Sequence, residues 1–180
     1  MKDAYRAPQR QAIGDIVTAT HDYMLRELEQ RTLQADLVDQ IRQDTEIVDA
    51  DQFWAATKAT AAATLGVERS FQIGSLTIVD AVCWEAMVTA YAAFERLKAA
   101  VAGAPEVQTA DDVEQHIRVI AGHANQFNQS VSALVRAAYG WLSPVEGWCN
   151  RWRRRESRRR LGERYQQPPA VETTGEPGSG

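Results

Sequence analysis

The stretch Thr109–Leu142, "TADDVEQHIRVIAGHANQFNQSVSALVRAAYGWL", decides the fold. Val113, Ile117, Ile120, Ala124, Phe127, Val131, Leu134, Ala138 and Trp141 recur at alternating spacings of three and four over four heptads. That is the period of one face of an α-helix. Asp111 and Asp112 fall in its first turn, where carboxylates meet the positive end of the helix dipole.

Working outward, the residues from Thr77 to Ala102 carry a second stripe of the same period: Val79, Cys83, Ala86, Ala90, Phe94, Leu97 and Val101. Trp84, Val88 and Tyr91 add another apolar strip, so this helix is expected to be covered on more than one side. Gly103 and Pro105 supply a stop. Two long helices joined by a short Gly/Pro connection fold back on each other, which predicts a central antiparallel hairpin over Thr77–Leu142.

The N-terminal third reads as helix from about Gln9 to Val48. Ile13, Ile16, Val17, Met24, Leu28, Leu37, Val38, Ile41 and Val48 provide its apolar surface. Asp22 with Arg26 and Glu27 with Arg31 sit four apart in the favourable order. The apolar phase slips near Arg31–Leu33, which predicts a kink or break there. A shorter Ala/Thr-rich helix is expected from Gln52 to Leu65, capped by Asp51 and ended by Gly66. "FQIGSLTIV", from Phe71 to Val79, then reads as a loop entering the next helix. No stretch shows sustained alternation of period two.

"SPVE" at Ser143–Glu146 combines a capping-box Ser and Glu with Pro at the first helical position, and predicts a final helix. After Gln167 the chain is rich in Pro and Gly, a composition of disorder. The expectation is therefore all-α: a single-domain bundle of about five helices with a long central antiparallel hairpin. The bundle occupies residues 1–142, an Arg-rich helix 143–166 is attached to it and projects from it, and residues 167–180 form a disordered tail.

Charge sharpens that division. The net charge of the 180 residues is −4, yet residues 1–140 hold 12 Lys/Arg against 19 Asp/Glu, whereas residues 141–167 hold 8 against 3. A mildly acidic body thus carries one concentrated basic element. Its cations are Arg151, Arg153, Arg154, Arg155, Arg158, Arg159, Arg160 and Arg164, with Val145, Trp148, Cys149 and Trp152 on one face of the first turns. Guanidinium groups donate paired hydrogen bonds to phosphate oxygens, and Trp152 is placed to stack on a base, so RNA or DNA backbone is the first expected partner. Arg outnumbers Lys 17 to 3 across the whole chain. The density of cations is therefore more telling than the choice of Arg.

Two other partners fit the same charges. Asp36, Asp39, Asp44, Glu46, Asp49 and Asp51 face only Arg42 within residues 36–51, so the arginines could dock on the chain's own acidic surface, on another copy, or on another acidic protein. An anionic membrane is the third, because Trp favours the interface and Arg the headgroups. The four-heptad stripe also makes a homodimer an expectation.

The sequence excludes several classes. Residues 1–15 have no apolar core of a secretory signal, and the apolar run Leu76–Val101 is interrupted by five charged residues. Two cysteines without a CxxC pattern fit a reducing, cytoplasmic setting. His116 and His123 lie seven apart on one helix face, but Thr18, Val113 and Ile120 stand where a di-iron bundle needs glutamates three before each His. No phosphate-binding glycine loop, nucleophile elbow or zinc-protease motif occurs. The expectation is a non-catalytic binding or assembly protein without metal or cofactor.

Overall fold

The computed structural model describes residues 5–43, 50–103, 109–142 and 155–160. Four long helices fill nearly all of it: α1 (Arg6–Gln43), α2 (Ala50–Thr77), α3 (Ala81–Ala102) and α4 (Ala110–Trp141). Residues 155–160 form a further helical segment, and no strand occurs among the described residues. The all-α bundle is therefore the observed fold.

The helices run up, down, up, down. α1 packs on α2 and α3 on α4, and the two hairpins join chiefly through α1 and α4, while α2 and α3 touch least. Two contacts fix the ends of the α1/α4 pair. At one end the Arg10 guanidinium donates to the Leu142 carbonyl. At the other, Arg42 reaches Asp111 at 2.7 Å and Glu114 at 2.9 Å.

The core is aromatic at its centre. Phe94 and Phe127 lie 5.3 Å apart between ring centroids, and Tyr23 meets Phe94 edge-on at 5.5 Å. Each such pair contributes roughly 0.5–1.5 kcal/mol beyond the area it buries. Ile16, Val67, Cys83, Ala90, Leu97 and Leu134 complete a continuous apolar interior. The stripe read on α4 is the buried one: Ile120, Ala124, Phe127, Val131, Leu134 and Trp141 all face the core. Its start is a capping box, with the Thr109 hydroxyl accepting from the Asp112 amide and the Asp112 carboxylate accepting from the Thr109 amide.

Three boundaries differ from the sequence reading. α2 does not end at Gly66 but continues to Thr77, because Ala56, Ala63, Val67 and Phe71 form one buried stripe across that glycine. Burying Val67 and Phe71 gains roughly 1.5–3 kcal/mol each, more than the roughly 1 kcal/mol that a mid-helix Gly costs. "FQIGSLT" is accordingly helix, and only Ile78–Asp80 connect α2 to α3.

The second difference follows from the first. α3 starts at Ala81, four residues later than read, with Asp80 as its cap: Oδ1 accepts from the amides of Val82 at 3.1 Å and Cys83 at 3.3 Å. Val79 leaves the stripe and is exposed.

Third, α1 runs helical through Arg31–Leu33 without a break. Its buried face is Gln9, Ala12, Ile13, Ile16, Thr20, Tyr23 and Glu27, then Leu33 and Val38. Three of these are polar. An apolar count therefore slides onto Met24 and Leu28 and mistakes the slip for a break.

Residues 143–154, with the "SPVE" helix start, and the tail from 161 onward lie outside the described residues.

Candidate functional site

The basic element is described at residues 155–160. Arg155, Arg158, Arg159 and Arg160 are exposed there, while Ser157 is only 8% exposed. At about 100° per residue, Arg155, Arg158 and Arg159 share one arc of roughly 100°, and Ser157 lies on the opposite side. The segment thus has a covered face and a cationic face.

Glu156 is the one carboxylate in these six residues. It lies 3.4 Å from Arg159 Nη2 and 3.6 Å from Arg160 Nε. Such exposed local pairs are worth about 0–1 kcal/mol. Arg155 and Arg158 form no ion pair among the described residues. Arg151, Arg153, Arg154, Arg164 and Trp152 lie outside the described residues.

The acids occupy one end of the bundle. Asp36 and Asp39 on α1, Asp51 on α2 and Asp111 on α4 are exposed around the loops that join α1 to α2 and α3 to α4. Asp44, Glu46 and Asp49 lie outside the described residues. Arg42 sits among these acids, and its guanidinium holds the Glu114 carboxyl below the usual carboxylate range. α4 leaves the bundle at the opposite end, beside Arg10. With 32 residues in α4, that exit is about 48 Å from the acidic end.

Glu27 was legible as a helix pair with Arg31, but not as a core residue. Its carboxyl is buried beside Tyr23, and Arg31 Nε comes within 2.6 Å of its Oε1. The N–H is poorly aligned, so neither carboxylate oxygen has a well-formed hydrogen bond. Burial raises the Glu27 carboxyl above its ordinary range, and Arg31 opposes that shift. Burial and the neighbouring Glu27 also push the Tyr23 hydroxyl up, so it stays protonated.

Gln9 was also missed. Its side chain is buried at the foot of the bundle, where Oε1 accepts from the amides of both Val79 and Asp80 at 3.1 Å and Nε2 donates to the Tyr5 carbonyl at 2.8 Å. It ties the start of α1 to the turn between α2 and α3.

Of the histidines, His116 and His123 are half-buried on α4, and His21 is exposed on α1. Among the described residues no three His, Cys, Asp or Glu side chains gather as a metal site. No helix among them is long and apolar enough to cross a membrane. No protein-family model, curated protein or solved structure matches this chain.

Proposed function

We propose that this chain is a non-catalytic helical binding protein that grips the phosphate backbone of a nucleic acid through its Arg-rich C-terminal segment. The observation that carries the reading is the cationic face of residues 155–160, where Arg155, Arg158 and Arg159 share one arc opposite the covered Ser157. A duplex carries one negative charge per roughly 1.7 Å of axis, so three or four guanidiniums within two helical turns meet several phosphates at once. Arg151, Arg153, Arg154 and Arg164 extend the same run on either side, and Trp152 supplies a stacking surface. The acidic end of the bundle repels the same backbone.

The experiment is a mobility-shift titration of RNA, duplex DNA and single strands with the full chain and with a variant in which Arg155, Arg158, Arg159 and Arg160 are Gln. A shift by the native chain that the variant loses supports the reading. Equal behaviour of the two chains contradicts it.

A second reading draws on the opposite charge of the Arg segment and of the acidic end of the bundle: the Arg segment of one copy docks on the acidic end of another. Under that reading the native chain self-associates at low salt, the four-Gln variant stays monomeric, and nucleic acid has no effect on either. Anionic vesicles serve as the third arm, since an acidic membrane presents phosphates without a nucleic acid.

A further inference from the structure

One turn of α1 is built inside out. Glu27 is 2% exposed, yet Leu25 and Leu28 on either side of it are each 53% exposed. A polar residue in the core with two leucines in solvent reverses the usual pattern, and such local violations gather at functional surfaces. The leucines do not stand alone. They line a groove between α1 and α4 whose upper part encloses about 590 Å3 and whose lower part encloses about 680 Å3. The two parts share Val17 and Val135, so the trough is continuous. Along α1 it extends from Arg10 to Arg31, a length of about 32 Å, which matches a helix of roughly 20 residues.

The charges on its walls are of one sign. Arg10, Arg136 and Arg31 border it, Arg31 being paired with the buried Glu27, and no Asp or Glu among the described residues lines it. α4 has no carboxylate at all beyond Glu114.

We propose that the α1/α4 groove receives an amphipathic helix of a partner protein, with its apolar stripe on Val17, Leu25, Leu28 and Val135 and with acidic residues flanking that stripe. Length and openness favour a helix laid along the trough over a small amphiphile, which calls for an enclosed pocket. Charge sign disfavours a second copy. A two-fold pairing of this face would bring Arg10 and Arg136 against the same set, and like charges across an interface cost several kcal/mol. The inference is independent of the nucleic-acid reading, because none of these residues belongs to the Arg segment.

The test uses the full chain and two fluorescent peptides of about 20 residues, both with leucines at heptad spacing, one flanked by glutamates and one by lysines. The glutamate peptide is expected to bind at least about tenfold more tightly. Leu25→Asp and Leu28→Asp abolish that binding and Arg136→Glu weakens it, while the thermal midpoint stays unchanged because all three side chains are exposed. The four-Gln Arg-segment variant binds the peptide as the native chain does. Equal affinity for both peptides, no binding of either, or indifference to the Leu variants overturns the proposal. So does a native dimer that Leu28→Asp dissociates, which assigns the groove to a second copy. Tighter binding of a peptide spanning residues 143–152, or saturable binding of laurate without binding of the glutamate peptide, overturns it as well.

Discussion

Arg31 Nε lies 2.6 Å from Glu27 Oε1 inside the bundle, one turn along the same helix. Removing one member of a buried pair leaves the other charge uncompensated, so Arg31→Met should cost about 3 kcal/mol at neutral pH. Replacing both by Met should be close to neutral, since the site then holds only apolar volume. Urea unfolding at pH 7 of the single and double variants checks both values.

The same pair sets a pH dependence whose sign follows from burial. Glu27 binds its proton more tightly folded than unfolded. Between its unfolded pKa and its raised folded pKa the native state therefore holds the extra proton, and stability falls as pH rises through that window. Without Arg31 the carboxyl rises further. The penalty of Arg31→Met should then be smaller at pH 5 than at pH 8, whereas Glu27→Gln should flatten this part of the profile. A penalty that is larger at pH 5 contradicts the assignment.

Gln9 predicts a smaller effect at a distance. Gln9→Leu removes the acceptor shared by the Val79 and Asp80 amides and should destabilise by about 1–2 kcal/mol. Gln9→Glu keeps that acceptor but buries a carboxylate with one oxygen against the Tyr5 carbonyl, so it should cost at least as much overall while leaving the Val79 and Asp80 amides bonded. Hydrogen exchange at Val79 and Asp80 should quicken in the Leu variant more than in the Glu variant.

These two residues also show where the sequence stops being readable. The α4 stripe was legible because every core position on it is apolar and regularly spaced, and that alone gave the hairpin and the fold class. α1 was harder because Gln9, Thr20 and Glu27 occupy core positions, and each is satisfied, or left unsatisfied, by tertiary surroundings that spacing does not reveal. Gly66 misled for a different reason: local propensity spoke for an end, and the stripe through Val67 and Phe71 overrode it. The Arg segment was visible from composition alone. Helical spacing places Arg155, Arg158 and Arg159 opposite Ser157, but that Ser157 is covered needed coordinates, because spacing does not say which face is buried. The α1/α4 groove was hidden because spacing counted Leu28 with Ile13 and Ile16 as one apolar surface, whereas Leu28 is exposed.

Gly66 offers a stabilising change. A Cβ built there meets nothing within 4 Å, so Gly66→Ala should gain about 0.5–1 kcal/mol from helix propensity and a less entropic unfolded chain. Gly74 is the contrast. A Cβ there comes 2.9 Å from Ile16 Cδ1 and 3.1 Å from Met87 Sδ, so Gly74→Ala forces two core side chains to shift and should gain less than Gly66→Ala or lose stability. Thermal melts of the two variants rank them directly, and the reverse order contradicts this packing.

The central claim is that the exposed guanidiniums of residues 155–160 neutralise nucleic-acid phosphates. The most direct measurement is the salt dependence of duplex affinity for the native chain and for the variant with Arg155, Arg158, Arg159 and Arg160 changed to Gln. Each phosphate contact contributes about −0.9 to the slope of log affinity against log salt, so loss of three or four contacts should make the native chain steeper than the variant by about 3 to 4. Equal slopes in the two chains, or no duplex binding by the native chain at low salt, would contradict the account.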